Sequence, residues 1–203
     1  MATLHELRQQ IAACDIILVD TLCARAALGY DPGHYRHNGH TLPDAETIAQ
    51  SYVQAGSLTA RINILHPACI LYGLPILCGD APQANATPAA DLACLDALNQ
   101  RLLLSIQVAD QKRASLSRRL QTALEAGDPQ RVEKAITLPE VEANVLKRAV
   151  NRATKKTANA ATAERVREIY RDWILPISRK IQVEFLLTDT PEPTRPEPAT
   201  RQA

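Results

Sequence analysis

Leu4, Leu7, Ile11, Cys14, Leu18 and Leu22 recur at spacings of three and four, the signature of a helix with one apolar face. Gly29 and Asp31-Pro32-Gly33 end that pattern, so a first helix is predicted from about residue 3 to 28. The stretch 30–43, rich in Gly, Pro, His and Asn, reads as loop; 45–65 carries a weaker helical pattern, and the apolar 67–77 reads as a short helix or a buried connector. After a linker at 81–88, Leu92, Leu95, Leu98, Leu102, Ile106 and Ala109 resume a helical stripe, expected to continue past Lys112 to about Ala126, where Gly127-Asp128-Pro129 stops it. Two more helices are predicted, over about 128–136 and 138–156. A last one carries Val166, Ile169, Tyr170, Trp173, Ile177, Ile181 and Phe185, with Pro176 expected to kink it because the stripe persists on both sides. No alternating strand pattern occurs, so the fold class is all-α, a bundle of long helices spanning residues 1–188. The Pro-rich 189–203 is expected to be a disordered tail.

Charged residues fall on these apolar stripes. Arg101, Ser105, Val108 and Lys112 are spaced i, i+4, i+7, i+11 and share one helix face with Leu98, Leu102 and Ala109. Eleven residues separate the two cations by roughly 16 Å along the axis, a distance from which long side chains converge on a ligand of one small ring. Arg8 lies between Leu4, Leu7 and Ile11, and Glu142 between Val141, Val145 and Leu146. Ser178 and Gln182 sit one turn apart within the stripe of the last helix. Alone, each such group is accounted for by a snorkelling side chain or a satisfied core polar group. Together, Arg8, Arg101 and Lys112 face Glu142 as the one obvious carboxylate, with Asp15 and Asp20 read as solvent or cap-network residues. Buried charge is costly unless paired, so the imbalance points to a small anionic ligand, of dianionic character.

Composition narrows the partners. Lys+Arg 23 against Asp+Glu 22 gives a net charge of +1, so no overall basic field is available for nucleic acid or anionic lipid. Five Tyr, one Trp and one Phe are too few for base-stacking platforms. The five cysteines, Cys14, Cys23, Cys69, Cys78 and Cys94, are scattered without metal-ligand spacing and read as apolar fillers in a reducing compartment. Neither a signal peptide nor an apolar run of bilayer length is legible, and a cytoplasmic homodimer that binds neither membrane nor nucleic acid is expected. His34, His37 and His40 lie three apart in a loop without a nearby thiol or acid at ligand spacing, and are read as an exposed polar loop, with no metal site. Arg118-Arg119 and the cations between Lys147 and Lys156 read as solvated faces.

The residues so marked resemble a known family. Leu7-Arg8-Gln-Gln-Ile11 with Asp15 and Arg25, Asn99-Gln-Arg101-Leu with Val108-Ala-Asp-Gln-Lys112, Val141-Glu142-Ala-Asn-Val145-Leu146, and Ile169-Tyr170 through Pro176-Ile177-Ser178 and Ile181-Gln182 to Leu187 together look like the all-helical chorismate mutases. The likeness is to the longer, eukaryotic-type subfamily, over residues 4–30 and 91–187, with 31–90 shortened and divergent. It implies a cofactor-free rearrangement of chorismate to prephenate, in which a C–O bond breaks as a C–C bond forms. It also implies roles: Arg8 and Arg101 with Ser178 for the substrate carboxylates, Glu142 for the ring hydroxyl, Lys112 and Gln182 as donors to the ether oxygen.

The chain departs from that pattern at Leu138, where the subfamily has a polar hydroxyl-binding residue, and at Val141, where the short bacterial type has an arginine. The subfamily's aromatic amino acid effector site involves a Gly-Ser pair and arginines on an earlier helix. The corresponding stretches here read Asn85-Ala86 and Arg61-Ile-Asn63-Ile64, so regulation by aromatic amino acids is not expected. Two other readings stay open: a same-fold enzyme acting on isochorismate as a pyruvate lyase or on an aminochorismate, and a non-catalytic helical interaction module.

Overall fold

The structure is a computed structural model that describes residues 2–29, 45–57, 60–61, 63–65, 73–78 and 88–188. The histidine loop 34–40, Cys69, Asn85-Ala86 and the Pro-rich tail lie outside the described residues. Among the described residues every regular element is helical.

Helix α1, Leu4–Ala26, starts at a capping box in which the Thr3 hydroxyl accepts from the Glu6 N–H and the Glu6 carboxylate accepts from the Thr3 N–H. Two short helices follow, α2 (Ala45–Gln54) and α3 (Leu74–Cys78), and then the long α4 (Pro88–Ala114). The expected continuation of α4 to Ala126 does not occur. Ser117 adopts an extended backbone, and its hydroxyl accepts from the Leu120 N–H, which starts a separate helix α5, Arg118–Glu125. Gly127 follows with φ +59°, a left-handed conformation that glycine adopts without a Cβ penalty. Asp128 caps α6 (Pro129–Ile136), and α7 (Pro139–Thr157) follows after two residues.

The last predicted helix forms as α8 (Ala160–Ile169), a π-turn over Tyr170–Ile174, and α9 (Leu175–Thr188). The Leu175 N–H reaches the Tyr170 carbonyl five residues back. Pro176 donates no N–H and its ring crowds the preceding turn, and the widened π-turn directly before it absorbs this disturbance while the helix continues.

Helix α1 packs along α4, and α4 along α9, while α7 lies against α1 and α8. The main core fills this contact with Leu18, Leu22, Leu95, Leu98, Leu102, Val145, Ala149, Ile177 and Ile181. A second apolar cluster, including Leu120, Val132, Ile136 and Leu186, fastens α5 and α6 onto the far ends of α4 and α9. A third, of Leu7, Leu104 and Val108 with Leu4 and Ile11 beside it, joins the start of α1 to the middle of α4.

Candidate active site

Where these three clusters meet they leave a cavity of about 280 Å³, lined by Arg8, Arg101, Ser105, Val108, Lys112, Glu142, Ser178 and Gln182 among others. All six residues singled out from the sequence therefore face one space. Arg101, Ser105, Val108 and Lys112 present the α4 face that their spacing implied, and Ser178 and Gln182 present successive turns of α9. Arg8 reaches the cavity from its rim with an exposed side chain, not from within the packed face of α1.

Arg101 is the most deeply held of the cations. Its Nε donates to Asp15 Oδ1 at 3.1 Å, its Nη1 donates to the Ser178 hydroxyl, and that hydroxyl donates to the Ile174 carbonyl at 2.9 Å. The Tyr170 hydroxyl also donates to Asp15 Oδ1, at 3.0 Å, and burial pushes the Tyr170 pKa well up, so it stays a neutral donor. Asp15 is thus a buried counter-ion, not the solvent or cap-network residue expected from the sequence. The network fixes the guanidinium: an arginine with its Nε and one Nη engaged presents its remaining N–H groups in a set direction.

Lys112 Nζ donates to the Ile136 carbonyl at 2.9 Å and to Gln182 Oε1 at 2.8 Å. An ammonium has three N–H donors, so one is left for a ligand. Burial, with Arg8 nearby and partly offset by Glu142, lowers the Lys112 pKa to about 8. The Gln182 amide donates to the Ser178 carbonyl at 3.1 Å, which leaves its second amide hydrogen free of that bond.

Glu142 has a partner that the sequence did not reveal. Arg179 Nη1 lies 2.8 Å from each Glu142 carboxylate oxygen, and Arg179 Nε donates to Glu133 Oε1 at 3.0 Å. Arg148 and Asn144 also line the cavity from α7, so the stretch from Lys147 to Lys156 is not uniformly a solvated face. Arg152, on the same helix, forms a two-bond pair with Asp20 at the surface. The cavity lining therefore holds the cations Arg8, Arg101, Lys112, Arg148 and Arg179 against the carboxylate of Glu142. Leu138 and Val141 stand exposed at its mouth, and Leu4, Ile11, Val108 and Val145 give it apolar walls. Such a site suits a small ring compound with more than one negative charge.

Comparison with known proteins shows what this arrangement is similar to. The chain is similar to a chorismate mutase of Emericella nidulans, with 26% identity over 152 residues, which is 70% of this chain and 54% of that protein. It is similar to a chorismate mutase of Pichia angusta, with 24% identity over 153 residues, covering 70% of this chain and 55% of that one. Chorismate mutase 2 of Arabidopsis thaliana shares 29% identity over 127 residues, 54% of this chain and 47% of that one. The chain spans about half the length of these curated relatives. Among solved structures, Aro7p chorismate mutase from Candida albicans, in complex with L-Trp, superposes with a TM-score of 0.66 at 20% identity, over 91% of this chain and 90% of that one, so the fold is shared. Residues 85–183 match the family model Chorismate mutase type II. That stretch carries Arg101, Lys112, Glu142, Ser178 and Gln182, five of the six residues singled out from the sequence.

Proposed function

We propose that the protein is a chorismate mutase that converts chorismate to prephenate without a cofactor. The observation that carries this reading is the pairing of buried Arg101 with Lys112 and Gln182 around one cavity whose cations outnumber its carboxylates. Chorismate is a dianion with a ring hydroxyl and an ether oxygen. Arg101, aimed by Asp15 and Ser178, takes one carboxylate, and Arg8 at the rim takes the other. Glu142 accepts from the ring hydroxyl, with Asn144 beside it on α7.

Bound this way, the side chain folds over the ring, and the reaction becomes a matter of holding a reactive conformer. As the C–O bond lengthens, negative charge builds on the ether oxygen, where the free Lys112 N–H and the second Gln182 amide hydrogen donate. Electrons move around a closed ring of six atoms, so no nucleophile, proton carrier or external group takes part.

Regulation by aromatic amino acids is absent from this reading. Arg61, in one of the two stretches that resemble effector positions, donates to the Tyr52 carbonyl at 3.1 Å and stacks over the Tyr52 ring, which supports a packing role. The reading also takes the protein as a cytoplasmic homodimer. The free thiols Cys14, Cys23, Cys78 and Cys94 fit a reducing compartment. Ile16 and Ile17, 50% and 54% exposed on α1, fit a face covered by a second copy. Among the described residues no helix is long and apolar enough to cross a membrane.

The test mixes purified protein with chorismate and follows its ultraviolet loss alongside prephenate formation, with isochorismate and an aminochorismate in parallel. Prephenate from chorismate is expected. Pyruvate release from isochorismate, or turnover of the amino compound alone, would replace this reading with the same-fold alternatives that the apolar Leu138 leaves in play. No turnover of any of them would favour an interaction module.

A further inference from the structure

Arg179 lies outside the residues that the sequence and the family pattern mark, yet it ties together two carboxylates from two helices at the edge of the site. It follows Ser178 directly and lies 23% exposed at the edge of the cavity, where that cavity borders an open groove lined by Arg119, Lys134 and Pro139. Its guanidinium spans two helices: Nη1 holds both oxygens of Glu142 on α7, and Nε holds Glu133 on α6.

Each contact constrains something that the reaction needs. Glu142 is only partly buried, and Lys112 lines the same cavity, close enough for the carboxylate to raise the Lys112 pKa. Free of Arg179, the Glu142 carboxylate would turn to Lys112 and take the N–H that is left for the ether oxygen. The Glu133 contact acts on α6, whose last carbonyl, that of Ile136, accepts from Lys112. Arg179 thus holds one end of the Lys112 cradle through α6 and keeps the competing carboxylate away from it through α7.

We propose that Arg179 is a positioning residue for the rearrangement: it aims Glu142 at the substrate's ring hydroxyl and prevents a Glu142–Lys112 ion pair that would silence the ether-oxygen donor. This rests on the proposed function. The groups facing Lys112 are Arg8 from α1, the Ile136 carbonyl from α6, Glu142 from α7, and Gln182 with Arg179 behind Glu142 from α9.

The test compares the wild type with Arg179→Ala, Arg179→Lys and Glu142→Gln, and with the Arg179→Ala/Glu142→Gln pair, all on chorismate over a pH series, with melting curves to establish folding. Arg179→Ala is expected to lower kcat roughly 10- to 100-fold, as a displaced catalytic group does, with a smaller change in KM. Its alkaline fall in kcat/KM should move to higher pH than in the wild type, because an unmasked carboxylate stabilises the Lys112 ammonium. In the Glu142→Gln background the added loss should shrink, since no carboxylate remains to capture Lys112. Arg179→Lys should recover part of the rate.

A folded Arg179→Ala protein with unchanged kcat and an unmoved alkaline limb would overturn the inference while leaving the proposed function intact, as would a loss confined to KM. If Arg179→Ala fails to fold, Arg179→Lys with wild-type kcat and pH profile would overturn it equally. A wild type that leaves chorismate unchanged overturns the proposed function itself, and this inference with it.

Discussion

The two sides of the cavity hold their polar groups in different ways. On the side built by α1, α4 and α9, Arg101, Asp15, Tyr170 and Ser178 form a closed network that is almost wholly buried. On the side built by α6 and α7, Glu142 and its partner Arg179, which reaches over from α9, are about a quarter exposed, and the exposed Leu138 and Val141 flank them. Breaking a contact inside a buried network leaves polar groups without solvent, so the network fixes one geometry; a partly exposed pair can rearrange at less cost. The first side is suited to gripping a carboxylate common to all chorismate-like substrates. Under the proposed function the second meets the ring substituents by which those substrates differ, which assigns specificity to that side.

The largest effect should come from breaking the buried side. Arg101→Ala removes the proposed carboxylate ligand and leaves Asp15, whose Oδ2 is buried without a partner among the described residues, with only the Tyr170 hydroxyl donating to it among those residues. Removing one partner of a buried ion pair typically costs about 3–5 kcal/mol. Chemical denaturation should report a loss of that order, and kcat/KM on chorismate should fall by roughly 10²- to 10³-fold or more. Adding Asp15→Asn should recover stability without recovering rate. If the double variant regained activity, Arg101 would be a structural group and not a substrate ligand.

Lys112 tests the junction of the two sides. Lys112→Ala should lower kcat roughly 10²- to 10³-fold with a lesser rise in KM. Stability should not fall, because the folded-state pKa of about 8 lies below the ordinary 10.5, and burying the charged form already works against folding below that value. By the same sign, the wild type should gain stability as pH rises from about 8 towards 10.5, where the unfolded chain still binds the proton that the folded one has lost. Activity should move the opposite way: kcat/KM should be level through neutrality and fall above about 8 as the donor loses its charge. A bound dianion holds the proton on Lys112, so kcat should fall only at higher pH than kcat/KM.

The parts legible in the sequence were those that repeat along one helix. Arg101 and Lys112 announce themselves because they break a stripe of Leu and Ala at helical spacing, and Ser178 and Gln182 do so on α9. Asp15 is not legible because its buried partner, Arg101, lies 86 residues away, and no local pattern distinguishes a buried Asp from one on the polar edge. Arg179 lies off the stripe beside Ser178 and carries no periodic signal for that reason. Arg148 sits within a run of cations, though its position three after Val145 and seven after Val141 is a signal that it shares their face. The break after α4 was also written in the chain: Ser115-Leu116-Ser117 offers a hydroxyl cap, and the apolar spacing on either side concealed it.

Gln182 gives a smaller and sharper test of the junction. Its Oε1 accepts from Lys112 at 2.8 Å, so Gln182→Glu places a carboxylate against an ammonium, which lowers the new group's pKa. A protonated carboxyl can donate to the ether oxygen, whereas an ionised one repels the charge developing there. The variant should retain rate in acid and lose it as pH rises through that pKa, while the wild type stays level to about 8. Superimposable kcat/KM profiles for the two proteins would place Gln182 away from the reacting oxygen and leave Lys112 as the donor.

The mildest change expected is at Leu138, and it addresses the open side alone. Leu138 is the N-cap of α7, with an extended backbone (φ −119°, ψ 95°) and no side-chain cap bond. It is 46% exposed, so its side chain contributes little burial that a polar replacement would forfeit. Pro139 occupies the first helical position and the Val141 N–H bonds to the Leu138 carbonyl, while a capping oxygen would reach the second or third amide of the helix. Leu138→Asn should therefore raise stability by about 1 kcal/mol, read as a higher Tm. Its amide, one turn before Glu142 at the cavity mouth, adds a second polar contact for the ring hydroxyl, and KM for chorismate should fall a few-fold, the scale of one neutral hydrogen bond, with kcat little changed. The discriminating measurement is the ratio of kcat/KM for chorismate to that for an analogue without the ring hydroxyl. A ratio that rises in Leu138→Asn, while Arg101→Ala depresses both substrates alike, would assign substrate discrimination to the α6–α7 side. A ratio unchanged by Leu138→Asn, with Tm raised as expected, would show that position 138 only caps the helix and that the hydroxyl is read by Glu142 and Asn144.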